Sequence, residues 1–380
     1  MNIVLIGPVY PYKGGIAHYT SLLYKELAKN HSTRLISYKM QYPKILFKKE
    51  QRDYSNDTFK VDSAEFLINT ANIFNILKVG KNIRKSKPDM VIIQWWHPYF
   101  APCYRILEGA IGKKIKIVFI CHNVFPHERF PADRFLTKIA LKRGDGYIVH
   151  SKKDENDLAL IKENPNCRFN PHPTYNAFKM RNISKEQGRQ EIIDRDGFDI
   201  NQDTQLLLFF GFVREYKGLK YLLKAMPMIK AKLPNCRLMV VGSFGEDKQD
   251  YLSLIEQLEI HDVVFLKDDY TPDNEIEKYF AATDLVVLPY IDATQSGIVQ
   301  ISFGFEKPVV VTNVGGLPDV VIDGISGYVI EPRSLSAIAS VITDFFSFDR
   351  KTLFLEGVRS QARRFDWSRI ADKIGELIEQ

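Results

Sequence analysis

Two cations, Arg214 and Lys217, stand three residues apart just beyond the apolar run 206–210. Five apolar residues in a row read as a strand buried on both faces. Gly211 lets the chain leave the sheet, and Leu222, Leu223, Ala225 and Met226 then follow at helical spacing. Arg214 and Lys217 therefore fall on a strand-to-helix loop, at the carboxyl end of a parallel strand. Open α/β sheets bind their ligands there. A guanidinium that grips two oxygens and an ammonium point charge, both beside a helix start, suit a diphosphate. An isolated Arg-x-x-Lys is more often a solvated basic loop; the flanking strand and helix make this one a candidate site.

Two other loops offer backbone donors to the same kind of ligand. Strand 3–6 ends in a loop whose Gly14 and Gly15 open the next helix, and paired glycines let N–H groups approach a phosphate. Strand 284–290 runs into Asp292, Ser296, Gly297 and Ile298, where a helix start exposes N–H groups to a second phosphate oxygen. Polar residues also follow strand 115–120: His122, then His127 and Glu128 as candidate acceptor contacts.

The stretch FFGFVREYKGLKYLLKAM (209–226) resembles the G-x-x-x-x-x-K-G-x-x-x-L-x-x-A element of family 4 retaining glycosyltransferases. KPVVVTNVGGLPD (307–319) is similar to that family's K-P-V-V-x-T-x-x-G-G-x-P-E. The resemblance covers nearly the whole chain and is most specific over 209–319. It implies an α/β chain of two Rossmann-like domains facing a cleft, the GT-B fold. It also implies that Arg214 and Lys217 neutralise the diphosphate of a nucleotide sugar, with Gly211 and the Gly14-Gly15 loop among the donor-binding positions. His122 takes the place of a histidine after the family's fourth strand that faces the donor sugar. Residues 365–380 resemble a closing helix that crosses back to the N-terminal domain.

One element departs from the family. Its two glutamates separated by seven residues are missing, and the nearest match in spacing is Asp292-x7-Gln300. Gly297 is then two residues out of register. Gln300 can hydrogen-bond a ribose hydroxyl, although a carboxylate would do so more strongly. Thr294, Gln295 and Ser296 are the alternative donor contacts.

The elements that must position these groups follow from bulk properties. A length of 380 residues predicts two domains, and 45% apolar content supports real cores. We divide the chain into 1–183, 184–364 and the closing helix 365–380, with the charged stretch 184–203 as the exit from the first domain. No run of 18 apolar residues appears, and residues 1–7 read as a first strand rather than a signal peptide. Four cysteines without C-x-x-C spacing read as reduced and structural, in a cytoplasmic protein.

Residues 1–183 hold 30 Lys and Arg against 15 Asp and Glu, and the remainder 22 against 31. A basic half joined to an acidic half points to an anionic partner. In 38–54, Tyr42, Ile45, Leu46 and Phe47 interleave with Lys39, Lys44, Lys48, Lys49 and Arg52, a pattern that suits a membrane interface as well as a connecting loop. Lys78, Lys81, Arg84, Lys85 and Lys87 add a helix free of acids. An anionic membrane surface at the cytoplasmic face is the expected partner. Nucleic acid ranks last, because no zinc-finger or RRM-type motif occurs.

The expected reaction moves a sugar from a UDP-, GDP- or dTDP-sugar to a hydroxyl of a glycan or lipid-linked acceptor, with retention. No cofactor and no metal are expected: the letters D-x-D occur only at Asp194-Arg195-Asp196, away from a strand end. A dinucleotide fold fits poorly without G-x-G-x-x-G, and no P-loop motif occurs. A sugar-nucleotide epimerase and a non-catalytic nucleotide-sugar binder stay open as alternatives; no PLP-lysine signature supports a phosphorylase.

Overall fold

The computed structural model describes residues 1–47, 50–54, 57–126 and 130–377. The chain divides into two units, Met1–Pro171 together with Trp367–Gln380, and His172–Asp366.

In the first unit seven parallel strands form one sheet. They are β1 (Asn2–Ile6), β2 (Ser32–Met40), β3 (Glu65–Asn69), β4 (Met90–Trp95), β5 (Lys116–Cys121), β6 (Gly146–Val149) and β7 (Cys167–Phe169). Their order is β3-β2-β1-β4-β5-β6-β7. The central strand β4 is buried at every position, as a run of Val and Ile covered on both faces requires. The sheet grows outward in both directions from the β1–β4 pair, so a crevice opens at the carboxyl ends of those two strands.

The second unit repeats the plan with six parallel strands. These are β8 (Gln205–Phe210), β9 (Cys236–Val241), β10 (Val264–Lys267), β11 (Leu285–Leu288), β12 (Val309–Thr312) and β13 (Gly327–Ile330), in the order β10-β9-β8-β11-β12-β13. The switch point here lies between β8 and β11. Both units are Rossmann-like, and each has its own apolar core under the helices.

Three expectations need correction. The strand before His122 is the fifth, not the fourth, because Glu65–Asn69 forms an edge strand against β2. The chain passes to the second unit at His172 rather than at 184. The Tyr175 N–H donates to the Gln300 carbonyl at 3.3 Å, and the Met180, Arg181 and Ile183 N–H groups donate to the buried Glu277 carboxylate. The stretch 184–203 is not an exit segment. Ser184 and Gln187 form a capping box on the helix Lys185–Asp196. Arg189 on that helix is fully buried, with its guanidinium satisfied by four backbone carbonyls and Asp284. At the other end the return to the first unit comes at Trp367. The Thr174 hydroxyl still donates to the Phe365 carbonyl, whereas Trp367 packs on Tyr19 with ring centroids 5.0 Å apart. The last helix, Trp367–Glu376, thus belongs to the first unit.

Candidate functional site

Both informative stretches of the second unit meet at its switch point. β8 is followed by Gly211, whose φ of 97° strains any other residue; a Cβ there would lie 3.1 Å from Lys217 Nζ and 3.7 Å from Ile298 Cδ1. Gly211, Lys217 and Ile298, from different parts of the sequence, therefore line one spot. A single helical turn, Glu215–Lys217, carries the lysine. The loop is stapled to its neighbour after β11. The Ile291 N–H donates to the Tyr216 carbonyl at 2.6 Å, and Gly218 lies against Pro289. Lys217 Nζ sits 5.8 Å from the centre of the Tyr290 ring.

Arg214 donates only weakly, to the adjacent Val213 carbonyl at 3.3 Å. Neither Arg214 nor Lys217 has a carboxylate partner among the described residues. Burial, and then the neighbouring Arg214, pull the Lys217 ammonium down to about 8. A desolvated cation beside a second cation is a site short of negative charge. An anion placed between them would restore the ordinary pKa of Lys217.

Ser296 occupies the N-cap position of the helix Gly297–Gly304 without a side-chain capping bond, and its buried hydroxyl lies 3.5 Å from that of Tyr290. Gly297 faces the Tyr175 ring, which a Cβ would approach to 3.9 Å. The Gly315-Gly316 loop packs under this segment: the Gly316 N–H donates to the Thr294 carbonyl at 2.9 Å. Asp292 and Gln300 differ in exposure. Asp292 is exposed on the loop. Gln300 is 1% exposed, and its side-chain carbonyl has no hydrogen-bond partner among the described residues. A buried, unpaired amide carbonyl costs about 1–3 kcal/mol, so this one awaits a donor.

Of the letters D-x-D, Asp196 is already committed. It pairs with Lys267 and Lys278 at 3.0 Å each and accepts from the Tyr279 hydroxyl.

In the first unit the glycine loop after β1 leads into the helix Gly15–Leu27. Gly14 has φ 106°, which only glycine adopts readily, and nothing lies within 4 Å of a Cβ at Gly14 or Gly15. The helix start therefore borders open space. His122, just past β5, is 2% exposed. Its Nε2 donates to the Gln94 side-chain carbonyl at 2.7 Å, and its ring meets Tyr19 edge-on at 4.6 Å. Gly7 fits because it lacks a side chain, since a Cβ would stand 2.6 Å from Gln94 Cγ. His127 and Glu128, and the cations Lys48 and Lys49, lie outside the described residues.

The sequence reading missed two members of this cluster. His150 follows β6 as His122 follows β5, with ring centroids 5.5 Å apart. Its Nδ1 donates to the Asn170 carbonyl at 2.7 Å, and burial holds its pKa down to about 4, so the ring stays neutral. Gln94 is the one polar residue of strand β4, next to its end. A polar residue closing a buried strand was the available signal in both cases.

Residues 190–352 match the model of the group 1 glycosyl transferases, and residues 13–168 match that of glycosyltransferase family 4. An uncharacterised glycosyltransferase of Methanocaldococcus jannaschii is 29% identical over 196 residues, covering 50% of this chain and 48% of that protein. A D-inositol 3-phosphate glycosyltransferase of Streptosporangium roseum is 29% identical over 192 residues, covering 48% and 44%. The chain thus spans about half the length of the curated relatives it matches. Among solved structures, the Anabaena protein HepE in complex with UDP-glucose superimposes with a TM-score of 0.73 at 16% identity, over 100% of this chain and 99% of that one. That likeness is one of fold: two Rossmann-like domains of the GT-B type.

Proposed function

Given that the chain belongs to the group 1 glycosyltransferases of family 4, we propose that it transfers a glycosyl group from a nucleotide-diphosphate sugar to a hydroxyl acceptor. The observation that carries this reading is the pair Arg214 and Lys217, without a carboxylate partner among the described residues, at the β8–β11 switch point. The UDP-glucose bound by the Anabaena fold relative supports a uridine donor among the UDP-, GDP- and dTDP-sugars.

When the bond from the sugar to the β-phosphate breaks, negative charge builds on the departing diphosphate. Arg214, Lys217 and the N–H groups at the Gly297 helix start meet that charge with groups already in place. Such preorganised donors contribute about 3–4 kcal/mol each when tested singly. A metal ion is not needed for charge that two cations neutralise, so we read the transfer as metal-independent. Retention of configuration is the reading the family resemblance supports. Gln300, buried with an open acceptor, is proposed to take a ribose hydroxyl. His122 is the first unit's candidate for substrate contact. The acceptor is read as a lipid-linked or polysaccharide precursor glycan, met by a peripheral protein at the inner face of a membrane. Among the described residues no helix is long and apolar enough to cross one.

Thermal-shift titration against UDP-, GDP- and dTDP-sugars tests the donor. Stabilisation by one nucleotide class supports the reading, and indifference to all of them overturns it. Incubating the bound donor separates the alternatives: an epimerase converts it without acceptor, a transferase consumes it rapidly only when acceptor is added, and a pure binder leaves it intact in both cases.

A further inference from the structure

The helix Ile73–Ser86 carries no acidic residue, and its buried face is Ile76, Val79, Gly80 and Ile83. Gly80 seats this face tightly on the helix Ala101–Ile111: a Cβ there would lie 2.5 Å from that of Ala110. At about 100° per residue, Phe74, Lys78, Lys81 and Lys85 fall within a span of about 60° on the opposite face. All four are exposed, Phe74 by 85%. Phe74 is not left out by fraying. Asn72 caps the helix by accepting from the Asn75 N–H, and the Asn75 side chain ties the first turn to β3 through Asn69 and Leu67. The fold thus holds an aromatic ring and three lysines in one outward stripe.

A second apolar projection is linked to the turn before this helix through a chain of ring contacts. Ile45 and Leu46 are 85% and 64% exposed. Phe47 stacks on Tyr42 at 5.7 Å, Tyr42 packs on Tyr99 at 4.9 Å, and the Tyr99 and Thr70 hydroxyls are 2.8 Å apart. The Asn72 N–H then donates to the Asn69 carbonyl, which closes the path from Leu46 to the helix. Exposed apolar tips beside a row of cations match the two layers of an anionic bilayer surface, apolar chains below charged headgroups. A soluble anionic polymer would use the lysines and leave Ile45, Leu46 and Phe74 in water.

We propose that Leu46, Ile45 and Phe74 insert into an anionic membrane while Lys78, Lys81 and Lys85 rest on its headgroups. This deepens the acceptor side of the proposed transfer and rests on that reading for its purpose. Each cation near an anionic leaflet strengthens binding roughly fivefold.

The test is co-sedimentation of the full chain with phosphatidylcholine vesicles, with and without phosphatidylglycerol. Wild type is expected to bind only the anionic vesicles and to remain partly bound in high salt. Lys78→Gln/Lys81→Gln/Lys85→Gln should weaken binding about a hundredfold. Leu46→Ser/Phe74→Ser should weaken it about tenfold and make the remainder fully salt-labile. All variants should keep the wild-type thermal shift with UDP, which shows that they fold. Wild type left in the supernatant, or an apolar variant that binds like wild type in high salt, overturns the proposal. Vesicle binding by a chain indifferent to every nucleotide would keep the membrane surface and remove the transferase reading instead.

Discussion

Gly218 meets Pro289 so closely that a methyl group on its α-carbon would stand 1.9 Å from the Pro289 carbonyl oxygen. Its φ of 69° is also one that other residues adopt only with strain. This contact joins the loop carrying Arg214 and Lys217 to the loop after β11, so the charge cluster is held by two strands rather than one. Gly218→Ala should push the loops apart, break the Ile291 to Tyr216 hydrogen bond and cost about 2–3 kcal/mol. Gly15→Ala, with nothing within 4 Å of its Cβ, should stay within about 0.5 kcal/mol of wild type. Urea unfolding of the two variants checks the contrast.

The pH dependence of nucleotide binding follows from Lys217. Its free ammonium titrates near 8 because burial and Arg214 oppose the charge. Only the protonated form attracts a diphosphate. Affinity for UDP should therefore hold below pH 8 and fall above it, by up to about tenfold per unit. Lys217→Arg keeps its charge throughout and should flatten the profile up to pH 9.5. Calorimetric titration across that range measures both curves, and a flat wild-type profile would contradict the assignment.

In the first unit, Gln94 fixes the His122 ring by accepting from Nε2 at 2.7 Å. Gln94→Leu removes the acceptor of that buried Nε2–H. Turnover should fall about 10–100-fold, as when an orienting partner of a functional histidine is removed. Gln94→Glu, which keeps an acceptor, should retain more activity. UDP affinity should move little in either, since the two cations proposed to hold its diphosphate, Arg214 and Lys217, lie in the second unit.

Chelation tests the metal-free reading. With Arg214 and Lys217 as the neutralising charges and Asp196 already paired to Lys267 and Lys278, EDTA should leave transfer intact. An EDTA-killed activity restored by Mn²⁺ or Mg²⁺ would contradict it.

Much of this arrangement was legible in the sequence because local patterns carried it. Buried runs such as 206–210 and 90–94 announced strands, and the loops after them held the candidate groups. What escaped notice was set by contacts distant in sequence. The edge strand Glu65–Asn69 has only Ile68 fully buried, so it lacks a strong apolar pattern. The Gly218–Pro289 contact and the Gln94–His122 bond join residues 71 and 28 positions apart. The spacing Asp292-x7-Gln300 looked like a pair, but the loop leaves Asp292 in solvent while the helix turns Gln300 inward.

The most direct measurement is kcat/KM for the nucleotide sugar that stabilises the protein, with Arg214→Ala and Lys217→Ala beside wild type. Each substitution removes a charge that would meet the leaving diphosphate, so each should lose about 3 kcal/mol, or a hundredfold or more in rate. Turnover within a few-fold of wild type in both variants would show that the departing phosphate is stabilised elsewhere.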